Sequence, residues 1–140
     1  MVLEVEKFIV SQAGILIRNN KCLIGEISNR PGVWDIPGGR VNVDEIGEVA
    51  LRREIKEELG LHDFEIIDVV DYDVWYTKNS HIPVCAIANL IKNDIDEIKI
   101  SNEHLRFEWI TEDEIDDYNF VWPSAKKMLK KGFKKYNEII

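Results

Sequence analysis

The 140-residue chain fits one domain, and 45% hydrophobic with 31% charged residues suffice for a buried core. Eighteen Lys and Arg against 26 Asp and Glu leave a net charge of −8, which excludes a broad basic face for nucleic acid polymers. No apolar run reaches the length of a membrane span, and the acids within MVLEVEKFIV exclude a signal peptide, so the expectation is a cytoplasmic enzyme or binding module without a membrane partner.

Phe8 to Ile17 reads as a strand, Asn19-Asn20 as a turn, and Cys22 to Ile27 as the returning strand of a hairpin. Ser28 to Gly32 is a loop, and Val33 to Ile36 a short strand ending at the turn Pro37-Gly38-Gly39. Asp44 to Leu59 carries helical periodicity, with Gly60 placed as its C-terminal stop. Two long β-rich runs follow, Glu65 to Tyr76 and Ile82 to Ile91, with Lys78-Asn79-Ser80 turning between them. Leu105 to Ile110 is a further strand. Thr111 with Glu114 forms a capping-box pattern that opens a short helix. Pro123 suits the first position of a last helix, whose Ala125, Met128, Leu129, Phe133 and Tyr136 share one face while six lysines cover the rest. That lysine face is read as a solvated counterweight to the acidic remainder; the functional alternative is a basic flank attracting a polyanionic substrate. The fold class expected is α/β of α+β-like form, a mixed β-sheet sandwiched between helices. Cys22 and Cys85 lie in apolar strand-like runs and read as buried thiols.

The helix after the Pro-Gly-Gly turn is unusual in its charge. Relative to Glu54, Glu57 falls at about −60° and Glu58 at about +40°, so three carboxylates crowd one face within a turn. Like charges at that spacing repel by a few tenths of a kcal/mol per pair. A solvated acidic stripe is the plain reading; a hard divalent cation, which takes oxygen ligands, is the chemical one. Arg53 adjoins this face with Glu57 as its i+4 neighbour, and Glu45 is a second possible partner.

From Gly39, five residues lead to Glu45, seven more to Arg53-Glu54, and Ile55, Lys56, Glu57-Glu58, Leu59, Gly60 and Leu61 follow. This spacing, G-x5-E-x7-R-E-U-x-E-E-x-G-U, resembles the Nudix box at every specified position. The likeness extends to the lead-in Trp34-Asp35-Ile36-Pro37-Gly38-Gly39-Arg40-Val41 and to Glu103, which resembles a distal acidic residue of the family; in all it spans about residues 7 to 125.

The resemblance implies a hydrolase cleaving a nucleoside diphosphate linked to another group, with Mg²⁺ or Mn²⁺ as cofactor. It implies that Glu54, Glu57, Glu58 and the carbonyl of Gly38 are metal ligands, that Arg53 orients the cluster, and that Gly39, Glu45 and Gly60 are structural motif positions. Glu57 or Glu58 is the favoured general base, with Glu103 the rival. A proline sixteen residues beyond the box would mark ADP-ribose types, and that position is Thr77; a tyrosine seventeen on would mark dinucleoside polyphosphate types, whereas Tyr76 is fifteen on. A nucleoside triphosphate is therefore the expected substrate. Trp122 in FVWPS is a candidate base-stacking residue, and Arg40 and Arg18 are candidate phosphate contacts. His62, His81 and His104 have no ligand spacing and read as structural or surface residues. Competing readings are an ADP-ribose, nucleotide-sugar or dinucleoside polyphosphate pyrophosphatase, a non-catalytic nucleotide sensor, and an isopentenyl diphosphate isomerase-like enzyme. A homodimer is the expected assembly.

Overall fold

The computed structural model describes residues 4–139. Its sheet is mixed and is built on a central strand, β1 (Ile9–Arg18). Asn19 and Asn20 both take left-handed backbone conformations and fold β1 back into β2 (Lys21–Ile27), as the Asn-Asn pair predicts. The remaining elements are β3 (Val33–Asp35), β4 (Gly38–Arg40), α1 (Gly47–Leu59), β5 (Glu65–Tyr76), β6 (Pro83–Lys92), β7 (His104–Ile110), a 3₁₀ turn (Glu112–Asp117), β8 (Asn119–Phe120) and α2 (Ala125–Ile139). Strands run in the order β5-β6-β1-β2-β3-β8, with β4 on β1 and β7 on β2. β1 pairs parallel with β6, and β3 parallel with β8.

Alternation along β1 explains the layers. Ile15 and Ile17 point to one face and join Met128, Leu129 and Phe133 of α2. Leu16 points to the other and joins Leu51, Ile55 and Leu59 of α1. Ile15, Leu16 and Ile55 are completely buried, each worth roughly 1.5–3 kcal/mol in transfer free energy. Glycines let both helices seat closely: a Cβ on Gly14 would lie 2.8 Å from Ile55 Cδ1, and one on Gly132 2.9 Å from Ile15 Cδ1.

Several boundaries differ from the sequence expectation. α1 begins at Gly47 rather than Asp44, because Asp44 sits at φ 61° and Ile46 is still extended. The Thr111–Glu114 capping box forms, but on a 3₁₀ turn. Pro123 lies in the turn before α2 rather than in its first position; the helix starts at Ala125, with the Met128 N–H bonded to the Ser124 carbonyl at 3.0 Å. Of the expected turn Pro37-Gly38-Gly39, the two glycines belong with Arg40 to a strand paired antiparallel with β1. Gly60 ends α1 in the left-handed conformation, φ 69°, as expected. Cys22 is buried and Cys85 half-buried, both free; burial pushes the Cys22 thiol up to about 12 and leaves it unreactive.

Candidate active site

Strand β4 brings the glycine pair to α1. In β4, Gly38 stands opposite Ala13 and Gly39 opposite Gln12. Gly38 takes φ +150°, and a Cβ there would lie 2.0 Å from the Gln12 carbonyl oxygen. Its N–H donates to Glu58 Oε2 at 3.0 Å. A Cβ on Gly39 would lie 2.3 Å from Glu54 Cδ. The two glycines therefore form a floor without side chains, on which the two inward carboxylates of α1 rest.

Arg53 organises the outer rim. It bonds Glu45 through two nitrogens at 2.8 and 3.0 Å, Glu54 at 2.8 Å, Glu57 at 3.3 Å and the Arg40 carbonyl at 3.0 Å. The expected i+4 pairing with Glu57 and the reach across to Glu45 are both present. Arg53 holds the Glu45 carboxyl down at about 2. Glu103 comes from a distant segment laid against the end of α1, where the Lys99 N–H donates to the Leu59 carbonyl at 2.8 Å and the Ser101 N–H to the Glu58 carbonyl at 3.1 Å.

The electrostatics of the inner pair follow from this packing. Glu58 is 7% exposed; burial, with the charges of Asp35, Glu54 and Glu103 nearby, pushes its carboxyl up to about 8 against the Gly38 hydrogen bond. Burial likewise raises Glu54, outweighing the pull of Arg53. Glu57 is 59% exposed and tied only to Arg53. Hard, acidic oxygens pressed together on a glycine floor fit a divalent cation in chemistry. Among the described residues, however, no three acidic, His or Cys side chains converge on one ion-sized position, because Arg53 draws Glu54 and Glu57 to itself.

Beside the glycine floor opens a cavity of about 170 Å³. Trp75 and Trp122 form one wall, their ring centroids 5.4 Å apart, with Met128, Ala125 and Ala86 extending the apolar lining. The short strand β8 carries Trp122 there, since it pairs with β3 and the Val121 N–H bonds the Trp34 carbonyl at 3.0 Å. Arg40 lies at the cavity rim and is exposed. Arg18 is a correction: it ends β1 well past the cavity, and its guanidinium is engaged by Asn93 and Asp96 and stacked over Trp109, so it does not reach the site.

Two features escaped the sequence reading. Asp35 lines the cavity, its Oδ1 accepting from the Ile36 N–H at 2.8 Å, and burial pushes its carboxyl up to about 7. In the sequence it stands within the Trp34–Val41 lead-in that resembles the family, next to the buried Trp34, but nothing there assigned it a place in the cavity. Gln12 also lines the cavity and is held by Asn89 Nδ2 at 2.8 Å, while its own amide packs on Gly47 at the start of α1. No local pattern marks that pair, which β1–β6 pairing creates.

Comparison with known proteins agrees with this geometry. Residues 9–132 match the family model described as NUDIX domain. A MutT-like protein of Streptomyces ambofaciens is 29% identical over 108 residues, covering 77% of this chain and 67% of that protein. The nucleoside triphosphatase NudI of Escherichia coli (strain K12) is 30% identical over 115 residues, covering 73% of this chain and 78% of its own length. The crystal structure of a MutT protein from Methanosarcina mazei Go1 superposes with a TM-score of 0.76 over 98% of this chain and 99% of that one, at 24% identity. With the glycine floor, the acidic helix face and the sheet between two helices in place, the chain belongs to the Nudix family and is a hydrolase of phosphorus anhydrides.

Proposed function

We propose that this protein is a nucleoside triphosphate pyrophosphohydrolase that works with Mg²⁺ or Mn²⁺. The observation that carries the reading is the adjacency of two sites: an aromatic-walled cavity sized for a flat base opens along Gly38-Gly39, directly beside the carboxylates of α1. The nucleoside triphosphatase relative supports the substrate class.

In this reading the wall formed by Trp122 and Trp75 packs against one face of the base. The exposed Arg40 meets the phosphates at the rim. Glu54, Glu57, Glu58 and the Gly38 carbonyl would hold the divalent ion. The chemistry a bound dication supplies is neutralisation of the phosphate oxygens and activation of the attacking water. Water adds to a phosphorus of the anhydride, the P–O–P bridge breaks, and a nucleoside monophosphate and pyrophosphate leave. Glu57 takes the water's proton, being the box carboxylate with the fewest internal ties. Glu58 is committed to the Gly38 N–H and fixes the floor. Arg53 acts as a positioning residue, fixing Glu45, Glu54 and Glu57 relative to one another. Glu103 adds negative charge at the same end of α1.

The test is product analysis on a panel of nucleoside triphosphates, ADP-ribose, sugar nucleotides and dinucleoside polyphosphates, with Mg²⁺ and with chelator. Monophosphate and pyrophosphate from triphosphates, abolished by chelator, is the expected result. Glu57→Gln should lower kcat by at least about 10²-fold with an unchanged melt. Full activity in that variant removes Glu57 from the site.

A further inference from the structure

We propose that the half of the sheet face left open beside α1 is the contact between two copies of this chain, packed face to face about a two-fold axis.

Strand alternation and register define that face. Gln12 points toward α1, packing on Gly47, and Val10, two residues earlier on β1, points the same way. Val10 stands beside Cys85 and Gln12 beside Ile87; on the far side of β6, Cys85 stands opposite Val74, Ile87 opposite Tyr72, and Pro83 opposite Tyr76. α1 covers Leu16, Leu23 and Ile91 at one end of this face. Val10, Tyr72, Val74, Tyr76, Cys85 and Ile87 join neither core cluster, and Tyr72 is 67% exposed, Val74 46% and Tyr76 43%. Val41, bonded to the Val10 carbonyl, and the exposed Val69 extend the patch at either side. Trp75 and Ala86 leave the same strands on the opposite side, so the open face lies directly behind the cavity.

None of these positions is charged, in a chain that is 31% charged. The intervening acid Asp71 turns the other way, to Lys127 and Lys131 of α2. An uncharged patch with tyrosines at its centre has the composition of an interface core.

Charge and area decide the occupant. A chain of net charge −8 repels an anionic membrane, and two copies repel each other wherever acids would meet; on this face they meet without any. A buried tyrosine contributes on the order of 200 Å², so the exposed parts of the patch amount to roughly 500 Å² per copy and roughly 1,000 Å² per pair, the lower bound for a specific interface. A flat sheet face is self-complementary, as a two-fold contact requires. Edge-to-edge pairing through β5 is blocked, because its register shifts twice and Asp68 and Asp73 guard it.

The experiment is sedimentation velocity across a micromolar concentration series on wild type, Tyr72→Glu, Val74→Glu, Tyr72→Phe and Lys134→Glu, with melts to confirm folding. Wild type should sediment at twice the 16.3 kDa chain mass, as should Tyr72→Phe and Lys134→Glu, while a charge buried without a partner at 72 or 74 should leave monomers. Should Val74→Glu fail to fold, the more exposed Tyr72 carries the test. Labelling of Cys85, the half-buried thiol on the face, should slow as wild-type concentration rises and stay constant in Tyr72→Glu. A monomeric wild type overturns the proposal, whether or not it binds uncharged phosphatidylcholine vesicles. So does a dimer that survives both glutamates with Cys85 labelling independent of concentration.

Discussion

Replacing Gly39 by alanine tests whether the glycine floor exists for Glu54. A Cβ at that position would stand 2.3 Å from Glu54 Cδ and 2.4 and 2.6 Å from its two oxygens, where ordinary contact needs 3.4 Å or more. The carboxylate must therefore retreat by about 1 Å, a displacement that can cost about 10²-fold when it occurs in a catalytic constellation. Folding should suffer little, because the obstructed atoms are the far end of a flexible side chain. The Arg53–Glu54 contact that would loosen is partly solvated, worth about 1 kcal/mol or less, so the melting temperature should fall by a few degrees at most. Gly38→Ala is the control. Its Cβ would meet backbone, the Gln12 carbonyl at 2.0 Å, from a positive φ, and must pull β4 off β1. Steady-state kinetics and thermal melts on both variants should show Gly39→Ala folded and about 100-fold slower in kcat/KM, and Gly38→Ala strongly destabilised. A Gly39→Ala enzyme within threefold of wild type would refute the idea that the floor positions Glu54.

Two further perturbations follow from the same contacts. Arg53→Lys keeps the charge but not the planar fork that serves Glu45, Glu54, Glu57 and the Arg40 carbonyl together, so kcat should drop about 10–100-fold with KM changing less; an equal rise in KM alone would contradict a positioning role. Glu58 titrates near 8 when folded against an ordinary 4.5, so the folded state holds a proton that the unfolded chain has released and stability declines as pH rises from about 4.5 to 8. In metal-free buffer at pH 8, Glu58→Gln should therefore melt several degrees higher than wild type, losing that advantage at pH 4; added Mg²⁺ should raise the wild-type melt and leave the variant's nearly unmoved. Calorimetric scans across that pH range check both statements.

Much of this arrangement is written locally. The carboxylates of α1 share a face because of helical periodicity, Gly60 stops the helix because it tolerates a left-handed backbone, and Arg53 reaches Glu57 across one turn. What local pattern could not give is register between distant segments. Pro37-Gly38-Gly39 has the composition of a turn, yet from Gly38 on the chain is a strand because β1 offers it an edge. Arg18 looked like a phosphate ligand by charge alone; the length of β1 carries it past the cavity to Asn93 and Asp96. Asp35 lies in the lead-in stretch that resembles the family, but its place in the cavity emerges only once β8 brings Trp122 beside that three-residue strand.

The tether between residues 99–101 and the last turn of α1 makes the helix terminus more than a stop. Lys99 and Ser101 satisfy carbonyls of Leu59 and Glu58, and Lys99 Cβ would lie 3.0 Å from any Cβ placed on Gly60. Glu103 is thereby geared to the helix that carries the other glutamates, so a shift at one end of α1 is transmitted to an acid more than forty residues away in sequence. The spacing of negative charge at this end of the helix is thus governed by a joint made of backbone alone.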